Sequence, residues 1–591
     1  MKRFCFCVAL LCLLATGCPS SVSSDSSTDD VFSSGSTSYA RISQSVNTGL
    51  LVKSSDNVSS VIFGNNISLT LSAATACSWS VNSSSSTAAS TSKATMTDNI
   101  TIKNENGHIS IDASASTKNT ELTITGTLSA GDLEIKGNES YAIELDLNGV
   151  SIKSGNYPCI NVKKTKQTYL VLSGTNSLTD GRSYGIDYSS SGNKAKGTLF
   201  SKAPLLISGS GTLSVSEKYA HGIYSEDYIR LFGGTISVDN AGLSCIRSQN
   251  GFVMDGGTLD LKGTTSHTSH KNNNSRGIIV EGDESAPGEG FIYITGGNIT
   301  IKTTGKAISA KWDIDEDAET SDTNDDPNPV VYITGGTFSI TTTDTVVDSD
   351  RSGTITYTKY DGTTETKTES CSPEGIEGKN GVIISGGTFD IQTTDDSLNA
   401  SYSTYGYVNI SGGNLYLYSK QGDAIDSNGD INISGGTIVT VAPTGSEDGF
   451  DCDGSLNFTG GVAAGISGSS HNYAATGSSS QKVFVLGSGY AGSAGSTMAI
   501  KNGSGGVVFA FTIPSVASGY SIITLSTPQI GTGTYSIYSG VTASGGSNYK
   551  GLYTTLPSVS GGSSKGIITV SSGASVYALG ASLGGGPGGR F

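Results

Sequence analysis

The chain has 591 residues, with 80 glycines, 12 prolines and a formal net charge of -16. That length exceeds one compact core, and a make-up rich in Gly, Ser and Thr with almost no helix-forming runs favours an all-β, repetitive body of short strands and tight turns. The acidic balance argues against nucleic acid as a partner, because phosphate binding requires clustered Lys and Arg, and suits a divalent cation or a neutral surface.

The start, "MKRFCFCVALLCLLATGC", has a basic tip (Lys2, Arg3), an apolar stretch too short to span a membrane and small residues before Cys18. It is similar to a bacterial lipoprotein signal, with Leu14 one place earlier than the usual lipobox leucine; ordinary secretory cleavage is the alternative. Lipidation of Cys18 would tether residues 19 onward to a membrane at the bacterial cell surface or outer membrane. Without it the protein would be secreted. Residues 19–60 read as a flexible Ser/Thr-rich linker and 61–99 as an N-terminal strand or cap region. Beyond Cys18 stand Cys77, Cys159, Cys245, Cys371 and Cys452. An odd set without C-x-x-C spacing gives neither a disulfide framework nor a zinc site, so most read as small buried apolar residues.

From about residue 100 to 475 the sequence repeats. Weak copies ("LTITGTLSAGDLEIKG", "LDLNGVSI", "LVLSGTNSL", "LLISGSGTLSV") precede strong ones, in which a glycine pair recurs at Gly233, Gly256, Gly296, Gly335, Gly386, Gly412, Gly435 and Gly460. The shortest spacing, Gly233 to Gly256 and again Gly412 to Gly435, is 23 residues, and the longer ones are that unit with loops inserted. Five segments align without a gap: "HGIYSEDYIRLFGGT", "SCIRSQNGFVMDGGT", "EGIEGKNGVIISGGT", "DAIDSNGDINISGGT" and "DGFDCDGSLNFTGGV". Apolar residues occupy positions three, nine and eleven of this frame, and alternating strands such as "TISV" and "TFDI" follow the glycines. The glycines are expected to turn the corner between strands. Coils this short, with no helix between parallel strands, predict a right-handed, single-stranded parallel β-helix.

Stacking turns frame positions into columns. Position one reads His221, Ser244, Arg276, Lys306, Glu374, Asp396, Asp423, Asp448; position four reads Tyr224, Arg247, Ile279, Ser309, Glu377, Asn399, Asp426, Asp451. The last four rows are acidic in nearly every cell, with Asp395, Glu447 and Asp453 beside them. Carboxylates stacked about 4.8 Å apart repel by about 1 kcal/mol per pair in water and roughly 3 to 4 at an effective dielectric near 20. Splayed side chains, raised pKa values or a cation between the rows would relieve this. Oxygen-only ligands select a hard ion, and irregular cages suit calcium. The plainer alternative is a charged face kept for solubility. Insertions around 264–274, 282–290, 313–329 and 342–372 are expected to wall a groove beside the columns. Within them, "WDIDEDAETSDTNDDPNP" lacks the later Gly and Glu of an EF-hand, and His267 and His270 sit among polar residues, so both read as solvated loops.

Residues 476–580 lose the repeat but keep strand-like patches ("KVFVLG", "GVVFAFTI"), which predicts a small C-terminal β domain capping the open end. Residues 581–591, "ASLGGGPGGRF", read as a disordered Gly-rich tail.

The recurring coil, the "LDLNGVSI" and "GTLFSKAPLLISGSGTLSV" blocks and the β-rich tail resemble the extracellular carbohydrate-binding parallel β-helix proteins of clostridial and related bacteria, over about residues 100 to 580. The resemblance implies calcium bound by acidic residues, association with plant cell-wall polysaccharides, including acidic ones such as polygalacturonate, and a pectate-lyase-like fold. It places calcium ligands at Glu374, Glu377, Asp396, Asn399, Asp423, Asp426, Asp448 and Asp451; Asp395 and Asp453 join them from the columns. His221, Ser244, Arg276 and Lys306 depart from the pattern. The expected function is noncatalytic, calcium-dependent polysaccharide binding by a monomer, with Arg247, Arg276, Lys306 and Lys311 pairing with uronates and Tyr402 and Tyr405, with Tyr407, stacking on sugars. The alternatives are a calcium-dependent lyase, in which Arg276 or Lys306 removes a proton, and a structural adhesin with calcium serving only the scaffold.

Overall fold

Two-residue alternation places one side chain in and the next out, and a 23-residue coil contains three such strands. His221–Ser225, Tyr228–Leu231 and Thr235–Asp239 make one coil; Ser244–Ser248, Gly251–Met254 and Thr258–Lys262 make the next. They pair in parallel without a slip, His221 with Ser244, Tyr228 with Gly251 and Thr235 with Thr258. The computed structural model describes residues 54–582 apart from 73, 83, 89–92, 96–98, 156, 182–196, 218–219, 240–241, 265–274, 283–289, 313–328, 347–354, 359–363, 368–370, 403–405 and 470–478. The signal with Cys18, most of the inserted loops with His267 and His270, Tyr405 and nearly all of the C-terminal tail fall outside the described residues.

The first strands of successive coils form a 14-stranded sheet, and the second and third strands form a 26-stranded sheet. The result is a solenoid of parallel strands. The two rows of the larger sheet stay connected because strands such as Asp430–Ala442 run through their glycine pair. At that corner the second glycine takes a left-handed φ, 91° at Gly234, 96° at Gly297 and 91° at Gly436, which other residues adopt only under strain. The first glycine lies against the coil below: a Cβ on Gly412 would stand 2.3 Å from the Ser385 carbonyl oxygen.

Position three of the frame fills the interior. Ile246, Ile278, Ile308, Ile376, Leu398 and Ile425 stack in register and are buried. After the glycines the Phe338 and Phe389 rings stack with centroids 4.5 Å apart. Each such side chain contributes roughly 1.5–3 kcal/mol by leaving water, so the inward columns fix the vertical register. All five described cysteines are buried.

At the N-terminal end Asn65–Ser72 lies parallel on Thr120–Leu128 and antiparallel to Ala76–Val81, which pairs with Ser84–Ala88. The preceding segment crosses the outer face of several coils. Val58, Val61 and Phe63 pack on Ala142, Tyr169, Leu206 and Tyr228, and buried Asp56 meets Arg230 at 3.1 Å and the Tyr228 hydroxyl at 2.7 Å. At the other end the last parallel strand, Leu456–Ser467, pairs antiparallel with Ile522–Ser526, and a six-stranded sheet between Thr497 and Val570 covers Tyr416, Val439, Val441, Ala464 and Ile466. Among the described residues the one α-helix is Ser488–Ala491, and no helix is long and apolar enough to cross a membrane.

Candidate functional site

The outward side chains of the 14-stranded sheet carry the chemistry. The position-four column is in register along its length: Tyr224, Arg247, Ile279, Ser309, Glu377, Asn399, Asp426 and Asp451 are successive Cα partners. Position one follows through the backbone ladder, in which the Gly277 N–H donates to Lys306 O, Ala307 to Glu374 O, Gly375 to Asp396 O, Ser397 to Asp423 O and Ala424 to Asp448 O. Strands spaced about 4.8 Å apart therefore bring residues separated by whole coils side by side.

The upper levels are held from within. Asn399 Nδ2 donates to Asp396 Oδ2 at 2.9 Å, the Asp423 N–H donates to Asp396 Oδ1 at 2.7 Å, and the Asp448 N–H donates to Asp423 Oδ1. Gly422 has no room for a side chain, because a Cβ there would stand 2.5 Å from Asp396 Oδ1 and 2.6 Å from Asp395 Oδ1. One oxygen each of Asp423, Asp426 and Asp451 lie within 4.8 Å of one another. Asn399, 6% exposed, keeps its Oδ1 buried with no hydrogen-bond donor among the described residues. Burial, then the charge of Asp451, pushes Asp423 up to about 10. Burial, then Asp395, Asp426, Glu374 and Asp423, pushes Asp396 well above the usual carboxylate range, and burial lifts Asp395 to about 6 against the pull of Lys306. Asp453 lies exposed at the edge of this group.

One level below, the answer to crowding is different. The Lys306 ammonium stands 2.7 Å from Glu377 Oε1 and 3.2 Å from Glu374 Oε2. Ser309 donates to Glu377 Oε2 at 2.6 Å and Ser401 to Oε1 at 3.0 Å. Burial disfavours the Glu377 anion, but Lys306, then Lys379, outweigh it and hold the carboxyl well below its usual range. Glu374 goes the other way: burial, reinforced by Glu377 and Asp395, pushes it well up despite Lys306.

Lower still, three of the cations singled out in the sequence converge on one acid. Glu281 is buried and pairs with Arg247, with Lys311 at 3.2 Å and with Arg276 at 4.0 Å. Burial opposes its charge, and the three cations together overcome that and lower its pKa. Arg247 also lies 5.4 Å over the Tyr224 ring. Tyr402 is half-buried and its N–H donates to Lys379 O, and the Tyr407 ring lies over Gly381.

Sequence reasoning missed Glu281, Ser309 and Ser401 as partners. The signal for two of them is position six of the frame, two residues past position four and therefore on the same side of the strand. Read down the stack it gives Glu281, Lys311, Lys379, Ser401, Asn428 and Asp453, and Glu281 and Lys311 are direct Cα partners.

A family model described as a carbohydrate-binding domain-containing protein matches residues 108–405, half of the chain. The match takes in the basic levels and the first two acidic ones and stops before Asp423. A solved structure of a polysaccharide lyase-like protein from C. thermocellum, a gadolinium derivative, is similar at 20% identity and a TM-score of 0.34, over 46% of this chain and 90% of that one. No curated protein matches the chain.

Proposed function

Because the chain belongs to the carbohydrate-binding domain-containing family, we propose that it is a noncatalytic polysaccharide-binding protein that grips a glycan through calcium held on the acidic levels. The observation that carries the calcium reading is the convergence of Asp423, Asp426 and Asp451 oxygens within 4.8 Å on a rigid stack. The buried Asn399 Oδ1 without a donor and the cradle over Gly422 fit the same ion. Carboxylate and amide oxygens select a hard cation, and an irregular set suits calcium over the strict octahedron of magnesium.

On this reading Asp396, Asn399, Asp423, Asp426, Asp448 and Asp451 hold the ion, with Asp395 and Asp453 at the rim; Glu374 and Glu377 lie one level below, outside this set, on Lys306. The ion supplies positive charge to a uronate carboxylate of an acidic cell-wall polysaccharide. Arg247, Arg276 and Lys311, which together exceed the charge of Glu281, offer a second anionic contact, and Tyr402 and Tyr405 offer faces to sugar rings. We take the coils to wind right-handed. The protein then acts as a monomer, lipid-anchored through Cys18 at the bacterial surface.

A calcium-dependent lyase would need Arg276 or Lys306 to accept a proton, and both are committed to carboxylates. A glycan array with calcium and with chelator tests the binding reading: signal on acidic polysaccharides that chelator abolishes is the expected result. Loss of melting temperature in chelator with no glycan signal in either condition would leave calcium a scaffold role only. Ultraviolet-absorbing unsaturated product from polygalacturonate would establish the lyase instead.

A further inference from the structure

We infer that Lys306 is a resident counter-ion, standing where a metal would otherwise sit at the Glu374 and Glu377 level, and that it confines calcium to the levels from Asp396 onward. The inference rests on the calcium reading above and deepens it, since it decides which carboxylates are open to an exchangeable ion.

The Glu377 carboxylate is saturated with donors. Glu377 Oε1 takes the Lys306 ammonium at 2.7 Å and the Ser401 hydroxyl at 3.0 Å, and Oε2 takes the Ser309 hydroxyl at 2.6 Å. Three donors leave this carboxylate little reason to seek a metal. The same ammonium reaches Glu374 Oε2 at 3.2 Å, an ion pair that this buried oxygen keeps without a hydrogen bond. Two carboxylate oxygens of one coil thus face a single positive atom from the coil before it, the nearer of them within a few tenths of an ångström of the roughly 2.3–2.6 Å of calcium coordination. One coil further on the pattern breaks. Asp396 is held by an amide and a backbone N–H, and Asn399 Oδ1 receives no donor among the described residues. The first exchangeable cation site therefore begins where the lysine stops reaching. Lys306 is covalently fixed, so ion removal cannot empty its site. Without the ammonium, the two buried carboxyl groups would keep only Lys379 and two hydroxyls against their repulsion, and a divalent ion would be drawn to them.

The test counts calcium by equilibrium dialysis on the full chain, with calcium alone as probe. Lys306→Met keeps the length of the side chain and removes its charge; it should bind one more calcium per chain than the unaltered protein, whereas Lys306→Arg should bind the same number. In the Lys306 background, Glu377→Gln should leave the calcium count unchanged and the affinity within about twofold, while Asp426→Asn should weaken binding at least about a hundredfold. A folded Lys306→Met that gains no ion overturns the proposal. So does a Glu377→Gln variant that loses one, a result that stands even if Lys306→Met fails to fold. An unaltered protein that binds no calcium overturns the calcium reading and this inference together, which sets that failure apart from failure of the lysine's role alone.

Discussion

Replacing Asp426 by Asn should make the calcium-free protein more stable and the calcium-loaded protein less so. The oxygens of Asp423, Asp426 and Asp451 lie within 4.8 Å of one another. At that separation two unit charges repel by about 1 kcal/mol in water and about 3.5 kcal/mol at an effective dielectric of 20. Burial and the charge of Asp451 push the Asp423 carboxyl up to about 10, so proton uptake there relieves part of this crowding in the metal-free protein. Removing the Asp426 carboxylate from the cluster relieves about 1–3 kcal/mol of the remaining repulsion, a rise of a few degrees in Tm. In calcium at a thousandfold excess over the Kd of the unaltered chain, that chain gains about 4.1 kcal/mol from the ion, and the variant, which binds it far more weakly, forgoes most of it. The two proteins should therefore exchange rank between chelator and calcium, measured by denaturant unfolding in each. A variant that is less stable in chelator, or that keeps the full calcium response, would show that these side chains neither repel nor share an ion.

Other outcomes follow from the same geometry. Asp423 has a folded pKa of about 10 against an ordinary 3.8, so the native state holds a proton that the unfolded chain releases. Its contribution is complete below about pH 4 and is lost as pH rises toward 10; chelated protein should thus lose up to about 1.4 kcal/mol per pH unit between pH 5 and 8, and calcium should flatten that slope. Asp56→Asn removes a buried charged partner of Arg230 and should cost about 3 kcal/mol, with faster protease cleavage between residues 54 and 63; cleavage at the original rate would mean that the segment is held by apolar contacts. Gly436→Ala, at φ 91° and with a Cβ 3.0 Å from Gly413 O, should cost about 1–3 kcal/mol in denaturant unfolding, and more than Gly445→Ala, at φ 63° with open space around it.

The fold was legible because the repeat has a short period and its copies align without gaps. Once "SGGT" recurs at one position, the inward Ile and Leu and the left-handed second glycine each have only one place to go. The position-four column could be written down to Asp451 for the same reason, since in-register stacking makes sequence alignment and spatial neighbourhood the same statement. Side-chain direction was less legible. Arg247, Arg276 and Lys311 looked available to a ligand, yet Glu281 gathers all three, and that acid sits at a position of the frame that carries a charge in some coils and Ser or Asn in others. The contact between Asp56 and Arg230 had no signal at all, because it joins a segment outside the repeat to one within it across 174 residues.

A stack of this kind cannot relax by moving its backbone. Every carboxylate at positions one and four is fixed to its neighbour by ladder hydrogen bonds on either side and by buried aliphatic columns beneath. Crowded charge must then be answered by something added to the side chains, and the three levels show three answers. Glu281 is neutralised by cations from three coils, Glu374 and Glu377 share one lysine, and Asp423 takes up a proton. Of these only the proton leaves and returns with the solvent. The level that relies on it is the one where another mobile cation can compete, so responsiveness to ions should concentrate there while the lower levels stay locked by the chain itself.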